Sequence, residues 1–240
     1  MHKVNFSSLL ISFSILFIAS GGGWLMTAKA GGEVAADEFI KFGGALAVAI
    51  FMGKVAIFKK AKSLLFYQIL FIGGFGFDLA WFLSCFFLPL LWMDAIGIVE
   101  KIAVAIFYFL VCFFNVRLAL KIFSMKWNGI GDAKFRKEFD VGQNCVDWSS
   151  VSKSMKLTAV IFVPGIPKKY EDLISVVMLF LIILGVALRS GSPKYSMVAL
   201  SIPFSICAAC CLQMSVYHFS EARMVRIIET RKSVKLRTSC

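Results

Sequence analysis

Long apolar runs separated by short charged loops dominate this chain of 240 residues. Hydrophobic residues make up 59% of it, with 25 phenylalanines and a mean hydropathy of +0.82, which is more than a soluble domain of this length can bury. In lipid, only a helix or a closed barrel pairs every backbone amide, and these runs are too long and continuous for barrel strands. The sequence therefore predicts an all-α, polytopic integral membrane protein.

Six runs predict transmembrane helices, since a span needs roughly 20 apolar residues to cross about 30 Å of hydrocarbon. They cover residues 8–26, 39–58, 64–91, 95–122, 173–188 and 195–217. The fifth run is the shortest, so its length of about 24 Å relies on Arg189 reaching outward to the membrane interface. The sixth run contains Pro203, which removes one backbone hydrogen bond and predicts a kink.

The runs divide the chain into four regions. These are a four-helix transmembrane region (1–123), a cytoplasmic loop with short amphipathic segments (124–171), a two-helix transmembrane hairpin (172–217) and a basic cytoplasmic tail (218–240). In the loop, residues 131–140 predict a short amphipathic helix. Residues 157–163 predict a surface-lying or strand-like segment that ends at Pro164. In the tail, apolar residues such as Val225 and Ile228 can lie along the membrane surface.

Lysine and arginine are concentrated in alternate loops, which indicates the orientation because these side chains resist translocation across the membrane. The basic segments are 59–62, 124–171 and the tail after residue 217. The opposite side receives Lys29 and Lys194, with Lys41 and Arg189 at its border, and the acidic loop 33–38. We therefore expect both termini in the cytoplasm (N-in/C-in), in a bacterial inner (plasma) membrane.

The net charge of +12 follows from this topology, together with attraction to anionic lipid head groups. That attraction contributes about 1 kcal/mol per basic residue near the surface. Nucleic-acid binding would require aromatic residues among the basic ones and a folded platform, which the tail does not offer. The expected partners are therefore membrane lipids at the basic loops and tail, and no nucleic acid.

The first run has a second interpretation as a cleaved signal peptide. Ala28, Lys29 and Ala30 form the small-x-small pattern of a cleavage site after a basic start and an apolar stretch. Bulky apolar residues at 24–26 favour a retained anchor instead. Cleavage would leave the orientation of the other helices unchanged.

Ionisable residues inside the predicted helices are the candidates for function, because each costs a few kcal/mol in lipid unless it is paired or hydrated. Asp78 lies near the middle of the third helix, just after Gly73 and Gly74. Gly74 is four residues earlier on the same helical face, where it leaves room for a partner backbone or a water molecule. Lys54 lies near the cytoplasmic end of its helix and is interpreted as a side chain that reaches the interface.

The fourth helix carries a second group of polar residues. Glu100 and Lys101 lie about two turns inside it. Lys101, Tyr108, Cys112 and Asn115 fall on one narrow stripe at helical periodicity, and such a stripe must face protein rather than lipid. Asp78 has two interpretations. It belongs to an ion or proton path, with Lys101 as a candidate counter-charge, or it forms a buried ion pair or hydrogen bond that determines helix packing.

Small residues on the second helix indicate close helix packing. Ala45, Ala49 and Gly53 recur at four-residue spacing and form a ridge that another helix can approach closely. The partner is either another helix of this chain, which we favour, or a helix of another protein.

The seven cysteines do not form a disulfide framework, because none falls in a predicted external loop. Cys207, Cys211 and His218 share one helical face, but they lack a fourth ligand for a soft metal. The only histidines are His2 and His218, which argues against metalloprotease and histidine-based nucleophile chemistry. We expect no metal, no cofactor and no enzymatic activity.

Three functions remain open. The first is a non-enzymatic subunit or accessory of a membrane protein assembly, of the secretion, conjugation, immunity or defence type, with protein partners or a homo-oligomer in the membrane. The second is a small ion or proton channel or carrier that uses Asp78. The third, a lipid-modifying membrane enzyme, has no motif to support it. The sequence favours the first.

Overall fold

The computed structural model describes residues 6–59, 63–140, 145–232 and Leu236. Lys60 and Lys62 of the predicted basic segment 59–62, and Lys235 and Arg237 of the predicted basic tail, lie outside this part of the chain. The helices of the described residues are α1 (Phe6–Gly31), α2 (Glu33–Lys59), α3 (Leu64–Ser84), α4 (Ile98–Lys126), α5 (Asp132–Glu138), α6 (Trp148–Met155), α7 (Glu171–Ala187) and α8 (Pro193–Lys232). A two-residue antiparallel pair, β1 (Phe139–Asp140) with β2 (Cys145–Val146), is the only sheet described.

In the part of the chain that the structure describes, five helices are long and apolar enough to cross a membrane, namely α1, α2, α3, the α4 helix with its continuation to Glu138, and α8. The fold is therefore consistent with an α-helical membrane protein. The fifth predicted helix corresponds to α7, which has 17 residues. That length is at the lower limit of about 17 residues for a span.

The third helix is shorter than the predicted 64–91. It begins after Ser63, whose hydroxyl caps it by accepting a hydrogen bond from the amide of Phe66 at 3.2 Å. It ends at Ser84, and a 3₁₀ helix follows at Leu88–Trp92. Pro89 explains why the helix does not continue, because proline lacks an amide hydrogen and disfavours helical backbone in the residue before it.

α1 and α2 form a tight hairpin. α1 ends at Gly31, and Gly32 takes a positive φ of 86°, a conformation that glycine adopts without steric cost. α2 can therefore begin directly at Glu33.

α8 is the scaffold of the remaining helices and packs against α3, α4 and α7. Two glycines of α3 allow α8 to approach closely. A Cβ atom at Gly73 would lie only 3.2 Å from Cβ of His218, and one at Gly76 would lie only 3.2 Å from the carbonyl oxygen of Cys211. α1 packs on the other side of the bundle, against α2 and α3.

The segment between α4 and α6 forms a compact cap on the end of the bundle. Buried Trp127, Phe135 and Trp148 pack into one cluster with Val225 and Ile228 of α8. The expectation that these two α8 residues lie along the membrane surface is therefore wrong, because they are already buried against the cap.

Residues 157–163 form neither helix nor strand, but they do not simply lie on the surface. The side chain of Gln213 accepts a hydrogen bond from the amide of Val160 at 2.7 Å. Asn115 donates to the carbonyl of Phe162 at 2.9 Å. The irregular backbone thus obtains polar partners from α4 and α8, which non-helical backbone beside an apolar bundle requires.

The glycine contact between α3 and α8 can be tested by substitution. Gly76→Leu should lower the free energy of unfolding by about 1–3 kcal/mol, because the added side chain meets the backbone of α8. Gly22→Leu is the matched control, since a Cβ atom there has no neighbour within 4 Å. Thermal unfolding in mild detergent is the measurement, and equal midpoints for the two variants would contradict the described packing.

Candidate functional site

Asp78 is fully buried, and its carboxylate forms an ion pair with the ammonium group of Lys54 on α2. Lys54 is itself only 8% exposed. The same ammonium group donates a hydrogen bond to the hydroxyl of Ser12 on α1 at 2.9 Å. One charged cluster therefore joins α1, α2 and α3 inside the apolar bundle.

Gly74 provides the space that this ion pair needs. A Cβ atom at Gly74 would lie 3.2 Å from Cε and 3.5 Å from Nζ of Lys54. The lysine side chain thus lies across the glycine, one helical turn before Asp78, in the space that was expected to receive a partner backbone or a water molecule. Phe58 lies beside the same position at 3.8 Å and helps to enclose it.

Two expectations for this cluster are wrong. The counter-charge of Asp78 is Lys54 and not Lys101, which is partly exposed on α4. Lys54 does not reach the interface, because a carboxylate at the right depth on α3 offers it a charged partner inside the bundle. Helical periodicity shows which face of its own helix Asp78 or Lys54 occupies, but it does not show which other helix packs against that face.

A second polar link reinforces the same three helices. Trp81 of α3 donates through its indole nitrogen to Ser20 of α1 at 3.3 Å, and Ser20 donates to the carbonyl of Gly43 on α2 at 3.4 Å. Ser12 and Ser20 were not candidates in the sequence analysis. Their eight-residue separation on α1 is about 2.2 turns, which puts two small polar residues on the same side of an otherwise apolar helix, and this is the signal that could have identified them.

The polar residues of α4 join neighbouring elements and do not approach Asp78. Tyr108 donates to the hydroxyl of Ser84 on α3 at 2.7 Å, since Ser84 uses its own hydrogen on the carbonyl of Ala80. Asn115 is fully buried and contacts both residues 157–163 and Gln213. Glu100 and Lys101 lie in the first turn of α4 and not two turns inside it, because the helix begins at Ile98. The carboxylate of Glu100 is 3.7 Å from the ammonium group of Lys194.

A second buried carboxylate, Glu221, was missed by the sequence analysis. It is 2% exposed on α8, accepts a hydrogen bond from Ser152 of α6 at 2.7 Å, and lies 2.9 Å from Nδ1 of His218. The three-residue spacing of His218 and Glu221 on one helix was the available signal. The cluster attaches the cap to α8.

The predicted helix-packing residues have different environments. Gly73 and Gly74 are buried at contacts with α8 and Lys54. Ala45, Ala49 and Gly53 are exposed, and a Cβ atom at Gly53 would meet nothing within 4 Å. The internal partner that we favoured for this ridge is absent from the described residues, because α2 turns its other face, with Phe39, toward the bundle.

Within the described residues, no group of three or more His, Cys, Asp and Glu side chains is placed to hold a metal ion. The described cysteine side chains, including Cys207 and Cys211, are free thiols. Comparisons with protein families, curated proteins and solved structures found no significant match.

The buried cluster is strongly coupled. Removing one partner of a buried ion pair costs about 3–5 kcal/mol, because the other charge is left uncompensated in a medium of low dielectric constant. Replacing both charges by neutral groups costs much less. The cluster therefore constrains helix packing whether or not it also has a role in transport.

A double-mutant cycle separates these roles. Asp78→Asn and Lys54→Gln should each lower the free energy of unfolding by about 3–5 kcal/mol, and the double variant should regain most of that loss. Lys101→Gln is the control and should have little effect. Reversible unfolding in detergent is the measurement; a fully stable Asp78→Asn variant would contradict the structural role and favour an ion path.

Proposed function

We propose that the chain is a non-enzymatic subunit of a membrane protein assembly, of the secretion, conjugation, immunity or defence type. The observation that carries this proposal is an apolar groove between α1 and α2 that the described chain does not fill. The groove has a volume of about 600 Å³. Its lining includes Phe13, Phe17, Gly21, Trp24, Gly44 and Phe51.

Two glycines make the groove accessible to another helix. A Cβ atom at either Gly21 or Gly44 would meet nothing within 4 Å, so both positions border open space. Small residues allow helix backbones to approach closely, and van der Waals packing of this kind drives helix association in lipid. Ser20 also lines the groove, but its hydroxyl already bonds to Gly43 and Trp81. The groove therefore fits an apolar occupant, and we propose a transmembrane helix of a neighbouring subunit.

The ridge of Ala45, Ala49 and Gly53 offers a second face for assembly. By helical periodicity it lies on roughly the opposite side of α2 from the face that meets the bundle. Its residues are exposed, as are the nearby side chains of Val48 and Met52. A groove and a small-residue ridge on one hairpin suit a subunit with neighbours on more than one side.

The alternative of an ion channel or carrier has less support. Asp78 is enclosed and paired with Lys54, so its burial already has a structural explanation. The groove between α1 and α2 is lined by neither Asp78 nor Lys54.

The serine, histidine and carboxylate around Glu221 are residue types found in catalytic sites, but their hydrogen bonds are arranged differently here. Ser152 donates to the carboxylate of Glu221 and not to His218, so the histidine is not placed to act as its general base. The cluster therefore differs from a nucleophile activated by an adjacent imidazole. The lipid-modifying alternative gains no support from it.

We further propose an inner-membrane location with both termini in the cytoplasm and with anionic lipids, rather than nucleic acid, at the basic side. The basic loops and tail support this orientation by the positive-inside rule. α1 supplies Ser12 and Ser20 to the buried clusters, which favours an anchor over a cleaved signal peptide.

Substitution in the groove tests the assembly proposal. Gly44→Leu and Gly21→Leu should fill the groove without an internal clash and should shift the protein from a homo-oligomer or stoichiometric complex toward the monomer. Gly22→Leu, on the same helix but outside the groove lining, should leave the assembly intact. Native mass spectrometry after mild-detergent extraction reports the masses, and a monomeric wild-type protein would contradict the proposal.

Cysteine labelling tests the orientation. In intact cells, a membrane-impermeant maleimide should label Val34→Cys, which replaces a residue that is 81% exposed at the start of α2. Ser149→Cys, at an exposed position on α6, should react only after the membrane is permeabilised. Labelling of Ser149→Cys in intact cells would contradict the proposed topology.

A further inference from the structure

A second cavity lies at the opposite end of the bundle from the cap, between the end of α1 and the α7–α8 hairpin. It has a volume of about 740 Å³. α1 contributes Met26 and Lys29, α7 contributes Ile182 and Val186, and Arg189 follows in the turn before α8. This volume is within the range of about 300–1,000 Å³ that is usual for ligand sites.

The cavity is amphipathic. Its apolar part includes Phe86 and Phe204, whose rings stack with centroids 4.7 Å apart, and Leu200 of α8. Its polar part includes Lys29 and Arg189, which are both exposed. A ligand that matches this cavity would place an apolar portion against the aromatic rings and a negatively charged group beside the two basic side chains.

The two cations are available for a ligand. Two other basic residues on this side have acidic partners, since Lys41 pairs with Glu38 and Lys194 pairs with Glu100. Within the described residues, neither Lys29 nor Arg189 forms an ion pair. Both residues are on the side to which the positive-inside rule assigns few basic residues, and the fold brings them to one cavity.

We infer that this cavity binds an anionic phospholipid, with its phosphate between Lys29 and Arg189 and an acyl chain along the apolar wall. Guanidinium and ammonium groups both recognise phosphate oxygens through charge-assisted hydrogen bonds. The apolar wall continues onto Val186, which is 61% exposed on the outer side of α7, so a chain can enter from the bilayer. The site is separate from the basic loops, where attraction to head groups is general.

A simpler explanation for the cations is that Lys29 lies in the last turn of α1 and Arg189 lies just after α7, where the helix dipole favours positive charge. That explanation predicts no lipid preference and no role for the apolar wall. The two explanations therefore differ in what happens when either half of the cavity is altered.

Lipid titration followed by native mass spectrometry is the test, with the full chain in mild detergent and phosphatidylglycerol or phosphatidylcholine as the probe. The wild-type protein should bind phosphatidylglycerol more tightly. Lys29→Gln with Arg189→Gln should weaken that binding by about 30-fold and abolish the preference. Lys41→Gln, which removes a cation from the same side but outside the cavity, should not.

Blocking the apolar wall provides an independent readout. Val186→Trp should reduce phosphatidylglycerol binding, whereas Val177→Trp, on another face of α7 and outside the lining, should leave it unchanged. Equal affinity of the wild-type protein and the double glutamine variant would overturn the proposal. Displacement of the lipid by an equal concentration of glycerol 3-phosphate would also overturn it, because a soluble phosphate would then be the better ligand.

Discussion

The ion pair between Lys54 and Asp78 is the interaction on which the arrangement of the first three helices depends. A carboxylate and an ammonium group each carry a large desolvation penalty in an apolar bundle, and only their close pairing makes both tolerable. Lys54 also donates to Ser12, so the pair joins α1, α2 and α3 at one depth. Gly74 is required beside it because a larger residue would occupy the space of the lysine side chain.

α8 has the corresponding role for the rest of the fold. Gly73 and Gly76 of α3 allow α8 to pack closely against α3. Asn115 of α4 and Gln213 of α8 form hydrogen bonds with the backbone of the irregular residues 157–163. The cap is then held by apolar packing and by Glu221. With α3, α4 and α7 packed on α8, the hairpin of α1 and α2 has its outer faces left open, and the proposed assembly surface lies there.

Sequence reasoning predicted Asp78 as a buried charge, because a carboxylate in an apolar run is costly unless it is paired. It also placed Tyr108 and Asn115 on one stripe of α4, and each has a protein partner in the structure. It did not predict the partner of Lys54, and it wrongly favoured an internal partner for the ridge of Ala45, Ala49 and Gly53. Helical periodicity defines the faces of a helix, whereas the choice of neighbour depends on contacts far apart in the chain. The end of α3 at Ser84 was also missed, because hydrophobicity continues through the 3₁₀ helix that follows.

The sequence alone predicted a helical membrane protein, since so many apolar residues in long runs have no other way to satisfy their backbone groups in lipid, and the five long apolar helices of the described residues are consistent with that class. It also determined where charges are exceptional, because any charge within such a run needs a partner. Only the tertiary structure decided which partner that is: Lys54 for Asp78, and Ser152 with His218 for Glu221. It also brought Lys29 and Arg189, 160 residues apart, to one cavity. Such pairings depend on how the helices are arranged around one another, and local periodicity contains no information about that arrangement.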